Sequence, residues 1–158
     1  VRSIEYIIIH ESDTPNGRPQ TVRDIDQWHR DRGFRRSPAA VAKFNPFLKC
    51  IGYHYAIYVD GTLQTGRADS EVPAACQGYN ATSINICLIG KGKYTPAQWQ
   101  ALQMCVAMLL QRYPGAKVMG HCEFDTAKAQ GKTCPDFDVQ AWVCSNMEPL
   151  AGHILEVA

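Results

Sequence analysis

The run Gly131-Lys132-Thr133-Cys134-Pro135 gives one cysteine neighbours unlike those of a core thiol. Proline fixes its own φ and biases the residue before it toward an extended backbone, so the run reads as a defined loop. Upstream of it, Val118-Met119-Gly120-His121 reads as a short apolar strand ending in histidine. Near the start of the chain, Tyr6-Ile7-Ile8-Ile9-His10 reads as a second such strand. Two strand-end histidines and a loop cysteine make a His/His/Cys set. That is three protein ligands, the number a catalytic zinc uses when its fourth position is left to water. Two neutral imidazoles and one thiolate leave such a centre net positive, which acidifies bound water toward pKa ~7 and polarises a substrate carbonyl. Amide hydrolysis also needs donors at the developing oxyanion. Lys132, two residues before the cysteine, and Tyr53, opening the sequence Tyr53-His54-Tyr55, are the candidates. His54 alternates to the face opposite Tyr53 and Tyr55 and reads as a supporting or structural residue, and Tyr55 reads as a core ring. His29, beside Trp28, and His153, near the chain end, read as ordinary solvated or satisfied histidines.

The elements that must position these groups are legible from pattern. Residues 4–10 form a near-continuous, isoleucine-rich run, as expected of a strand buried on both faces. The polar stretch 11–20 is loop. Thr21 is an N-cap, Asp24 lies in the first turn, and Val22, Ile25, Trp28 and His29 recur at helical spacing, which predicts a helix over 21–32 stopped near Gly33. Residues 34–50 read as a long surface loop with one short helical turn. Asp60-Gly61 supplies a tight turn between strands at 53–58 and 62–67. A further loop over 69–83 leads to a buried strand at 84–89. Thr95-Pro96 opens a helix that runs to about residue 113. A strand at 117–121 and a helix at 138–144 follow, and Leu150, Ile154 and Leu155 suggest a tail that packs back as a short helix. Alternating strands and helices with one inserted hairpin predict an α/β fold. It has a central mixed β-sheet flanked by α-helices, in a single domain over 1–158. In such sheets ligands bind at the carboxyl ends of the strands, where both histidines stand.

The 158 residues are 46% hydrophobic and 20% charged, with a net charge of +1. That composition suits one domain with its own core and offers no basic excess for nucleic acid. No apolar run approaches the ~18–20 residues of a membrane span, and Arg2 and Glu5 interrupt any signal-peptide core. The seven cysteines include Cys87 and Cys105 on apolar faces, where cysteine behaves as a small hydrophobe. Reduced thiols and synthesis in a cytoplasm are therefore expected, with Cys122–Cys144 and Cys50–Cys76 as the alternative bridges.

Taken in order, the motifs resemble a known family. They are Ile7-Ile8-Ile9-His10, Gly52-Tyr53-His54-Tyr55, Asp60-Gly61-Thr62, Gly66-Arg67, Gly78-Tyr79-Asn80, Ser83-Ile84, Leu88-Ile89-Gly90, Thr95-Pro96-Ala97-Gln98, Gly120-His121 and Lys132-Thr133-Cys134-Pro135. The chain is similar along nearly its whole length to the zinc-dependent N-acetylmuramoyl-L-alanine amidases of the peptidoglycan-recognition-protein fold, in particular the lysozyme-type amidases of podophages. The resemblance implies Zn2+ on His10, His121 and Cys134, catalytic assistance from Tyr53 and Lys132, and cleavage between N-acetylmuramic acid and the L-alanine of the stem peptide. It implies a single-module, monomeric endolysin that acts on the cell wall with peptidoglycan as its partner. Members of the fold that only bind peptidoglycan typically lack the cysteine ligand, which is present here as Cys134. Some podophage relatives also inhibit the phage RNA polymerase, and no residue of this sequence carries a reading of such an interface. Three departures stand out: Cys76 where the family often has histidine, an apparent insertion at 125–130, and a short loop between Gly90 and Thr95.

Overall fold

A computed structural model describes residues 1–156. Five strands form one sheet in the order β3-β2-β4-β1-β5. They are β1 (Tyr6–Glu11), β2 (Tyr55–Ile57), β3 (Leu63–Thr65), β4 (Ser83–Leu88) and β5 (Lys117–Gly120). β1 runs parallel to both β4 and β5, β2 runs parallel to β4, and β2 and β3 form the antiparallel hairpin. The sheet is thus mixed, as the alternation of elements predicts. Gly61, at φ +87°, supplies the left-handed residue of the hairpin turn.

β1 is central, and its isoleucines divide between two layers. Ile7 and Ile9 enter a cluster with Ile84, Ile86, Leu88, Trp99, Leu102, Leu109 and Trp142. Those partners come from β4, α3 (Pro96–Arg112) and α5 (Val139–Cys144). Ile8 points the other way, into a cluster with Cys76, Phe124 and Ala127. Beside that cluster, Val22 and Ile25 of α1 (Val22–Asp31) pack with Ala56, Cys87 and Ile89. Helices therefore cover both faces, and His10, two residues from Ile8, emerges on the α1 side.

Both long helices begin with capping boxes, Thr21 with Asp24 and Thr95 with Gln98. The stretch expected as loop with one helical turn contains α2 (Pro38–Lys43). Three details differ from the sequence reading. His121 lies one residue beyond β5, as the first residue of a 3₁₀ turn, His121–Glu123. Residues 125–130, read as an insertion, contain a helix, α4 (Asp125–Ala129). The tail is extended rather than helical: Ile154 bridges to Tyr94, with Tyr94 N–H donating to His153 O and Leu155 N–H to Tyr94 O. That pairing satisfies backbone groups a helix would otherwise have to satisfy within itself. All seven cysteines are free.

Candidate active site

Strand register brings the two histidines together. Ile9 pairs with Gly120 across β1 and β5, so His10 and His121 follow side by side at the carboxyl ends. Their ring centroids are 4.5 Å apart. Cys134 arrives from the loop after α4. Its carbonyl accepts from Cys122 N–H (2.9 Å), and its Sγ accepts from Glu11 N–H (3.0 Å). One ligand atom from each of His10, His121 and Cys134 lies within 4.8 Å of the others, a spacing one small cation can bridge.

The donor chemistry fits a metal. His10 Nε2 is 2.6 Å from Asn85 Oδ1. That oxygen can only accept, so Nε2 carries the proton and Nδ1 keeps its lone pair. Asn85 is in turn fixed by its Nδ2–H to Ser83 Oγ (2.8 Å) and by its backbone N–H to His54 Nδ1 (3.0 Å). Burial, and then the neighbouring His121, hold the His10 pKa well below the usual histidine value. Burial, and then Lys132, push His121 down to about 4. Both imidazoles are therefore neutral at pH 7. Burial pushes the Cys134 thiol up, opposed by the Glu11 N–H. Such a thiol needs a neighbouring cation to ionise.

His54 is wholly buried, and its Nε2–H donates to Glu71 O (2.9 Å) while Nδ1 accepts from Asn85. It is a supporting residue, holding the residue that holds His10. His153 is satisfied at Gly92 O (2.7 Å), as expected. His29 is buried and does more than its sequence context suggests. Its Nδ1 accepts from Gly52 N–H (2.8 Å), while Asp26 Oδ1 accepts from Cys50 N–H and Ile51 N–H, both at 2.7 Å. Gly52 is required there, because a Cβ would stand 2.1 Å from Ala74 O. This clamp from α1 fixes the three residues before Tyr53, whose ring lies against His29 (5.1 Å) and His10 (5.0 Å). Burial holds the Tyr53 pKa well above its ordinary value, so the hydroxyl remains a donor. Tyr55 is buried in the sheet, as expected, with its hydroxyl donating to Asp69 (2.8 Å).

α4 has a similar positioning effect on Lys132. Ala127 is buried under β1, and Lys132 N–H donates to Ala127 O (3.0 Å) after a turn through Gly131 at φ +70°. Cys76, where the family often has histidine, packs with Ile8, Phe124 and Ala127, and burial pushes its thiol up to about 11. Glu11 is an unforeseen neighbour of the centre. Burial, with Asp136 alongside, raises its carboxyl to about 9.

His10, His121, Cys134, Tyr53 and Lys132 all line one cavity of about 820 Å³. Asp26, His29 and Asn85 were absent from the sequence-derived set, and each left a signal. Val22, Ile25, Asp26 and His29 form a stripe at i, i+3, i+4 and i+7 that carries two polar groups on a buried face. Asn85 is a polar residue within a strand buried on both sides, where an amide must find partners.

The sequence profile described as N-acetylmuramoyl-L-alanine amidase matches residues 1–137, a span that includes all five of these side chains. The chain belongs to this amidase family. It is 35% identical over 148 residues to the endolysin of Escherichia phage T7, covering 89% of this chain and 85% of that protein. Among solved structures, the Ph2119 endolysin from Thermus scotoductus MAT2119 bacteriophage Ph2119 superposes with a TM-score of 0.70 at 24% identity, covering 94% and 88% of the two chains. Wild-type Drosophila PGRP-LB gives 0.65 at 23%, covering 100% and 86%. At those identities the two structures establish the fold. The family establishes the reaction: this amidase hydrolyses the amide between N-acetylmuramic acid and L-alanine in peptidoglycan.

Proposed function

We propose that this amidase is a zinc enzyme, with His10, His121 and Cys134 as its three protein ligands and Tyr53 and Lys132 as its oxyanion donors. The single observation that carries the reading is the convergence of two neutral imidazoles and a half-buried thiol in the lining of one cavity. When bound there, zinc supplies an acidified water near neutral pH and a Lewis acid for the substrate carbonyl. The chain's own residues do the rest. Asn85 keeps the His10 proton on Nε2, and the Glu11 N–H donates to the cysteine sulfur. Tyr53 and Lys132 both line the cavity, and their hydroxyl and ammonium donate to the oxygen on which charge develops. A protonated lysine has no lone pair for a metal, so Lys132 is a donor and not a ligand.

The product is then a free stem peptide with an L-alanine amino terminus, and the site of action is the cell wall, as the endolysin relatives suggest. Metal analysis and turnover of purified Cys134→Ser test the ligand set. Loss of stoichiometric zinc together with activity is expected. Stoichiometric zinc and full turnover in that variant would overturn it.

A further inference from the structure

The positive charge of the chain is concentrated in one segment. Residues 21–50 hold seven lysines and arginines against three aspartates, while the rest of the chain holds nine against twelve acidic residues. Asp26 is occupied by the clamp on Cys50 and Ile51, and Asp24 by the cap of α1, so Asp31 is the one exposed acid of the segment. Arg23, Arg30, Arg35, Lys43 and Lys49 are exposed, and none of them takes part in an ion pair among the described residues. Arg23 and Arg30 stand seven residues apart on α1, which puts them on one face of that helix.

Phe47 lies among these cations. It is 76% exposed and belongs to none of the three apolar clusters of the core. Its ring centroid is 5.7 Å from the Arg23 guanidinium. Lys43 ends α2 four residues before it, and Lys49 follows it within ~7 Å of extended chain. Arg36 N–H donates to Lys49 O (2.9 Å), which sets Arg35 beside Lys49. The loop that carries the ring is braced from beneath. The buried Arg36 guanidinium donates to Phe44 O (2.6 Å) and Asn45 O (2.9 Å), and its charge is met by Glu71 (2.6 Å). Asn45 Nδ2 donates to Thr65 Oγ1 and Gly66 O, both at 2.9 Å. A lone exposed ring is ordinary on a protein surface. A ring held out in water by a braced loop, among five cations without ion-pair partners, is a different arrangement.

We propose that this face docks on an anionic phospholipid bilayer. Phe47 enters the boundary between headgroups and acyl chains, and the five cations meet lipid phosphates. A soluble polyanion would engage the cations and leave the ring in water. A bilayer surface takes both, the ring by burial of apolar area and the cations by the negative surface potential. The acidic excess in the rest of the chain opposes docking through other surfaces. The face adjoins the active-site cavity, which Phe34 lines next to Arg35 in the chain, so docking holds the amidase at the membrane beside which its cell-wall substrate lies. The inference stands apart from the zinc assignment.

The test is co-sedimentation of the full chain with vesicles of phosphatidylcholine alone, and with about a third of phosphatidylglycerol added, at low and physiological salt. Binding is expected on the anionic vesicles only, and it weakens as salt rises. Lys43→Gln with Lys49→Gln lowers the partition coefficient about 25-fold, from about fivefold per charge. Phe47→Ala lowers it about tenfold and leaves the salt dependence unchanged, and Phe47→Trp restores binding. Cleavage of soluble muramyl peptides and the melting temperature stay at wild-type levels in all of these variants, which separates docking from catalysis and from misfolding. Equal binding to both kinds of vesicle would overturn the proposal, as would wild-type binding by the double lysine variant. A loss on the lysine changes with none on Phe47→Ala would identify a soluble polyanion as the occupant and overturn the bilayer assignment. So would a protein that binds polyphosphate and no vesicle.

Discussion

Lys132 and Tyr53 are the residues on which the proposed ligand and helper roles separate. Both line the cavity, and neither belongs to the His/His/Cys group. Removing one oxyanion donor typically costs ~10²–10³ in rate, or ~3–4 kcal/mol of transition-state stabilisation. Lys132→Ala and Tyr53→Phe should therefore keep zinc and the melting temperature and lose most turnover. Wild-type turnover in either variant removes that residue from the mechanism. The ligand candidates were legible in the sequence because each combines a chemistry-bearing side chain with an unmistakable context: a histidine at the end of an apolar run, or a cysteine among Lys, Thr and Pro. His54 was only half legible. Strand alternation assigns a face, and it does not reveal that the partner is the backbone of Asn85.

At the scale of elements, two helices hold the two proposed oxyanion donors in place. α1 clamps residues 50–52 through Asp26 and His29, and the Ala127 carbonyl of α4 accepts from Lys132 N–H just beyond the helix. Asp26→Ala leaves two buried N–H groups without an acceptor, at ~1–3 kcal/mol each. Chemical denaturation should show a loss of roughly 2–4 kcal/mol. Turnover should fall with bound zinc retained, because Tyr53 loses its support while the ligands do not. Asp26→Asn, which keeps an oxygen in the same position, should recover most of both. Unchanged turnover in Asp26→Ala would show that Tyr53 does not depend on the clamp. The α1 span was readable because a helix of its length carries a full apolar period and a capping box. α4 was not, because five residues are too few to show a period, and Asp125–Ala129 therefore read as an insertion in a loop. The tail failed for a related reason. Its three apolar residues fit a helix or an extended segment equally, and pairing with Tyr94, distant in sequence, decides between them.

At the scale of the molecule, sheet topology and burial set both the site and its response to acid. A central β1, parallel to β4 and β5, gathers three strand ends at one edge, and the α/β alternation made that edge predictable. Enclosing histidines in this architecture has an energetic consequence. Burial first, with nearby cations, lowers His54 and His29 from the model-peptide value of 6.5 to about 4. The unfolded chain then binds more protons than the folded one between those values. The stability from keeping each ring neutral is fully present above pH 6.5 and is lost as pH falls through about 4. Each contributes on the order of 3 kcal/mol at neutral pH. Unfolding free energy should thus fall steeply across that window. His54→Gln, with one titrating group fewer, should show a slope smaller by up to ~1.4 kcal/mol per pH unit. An identical slope would mean that His54 is not held neutral by the fold. The most direct test of the whole account is to strip the protein of metal, titrate it with zinc and count the α-amino groups released from purified peptidoglycan. The account predicts new L-alanine amino termini that rise with zinc and saturate at one equivalent per chain, with no new reducing ends. Undiminished release by the metal-free protein, or reducing ends without amino groups, would contradict it.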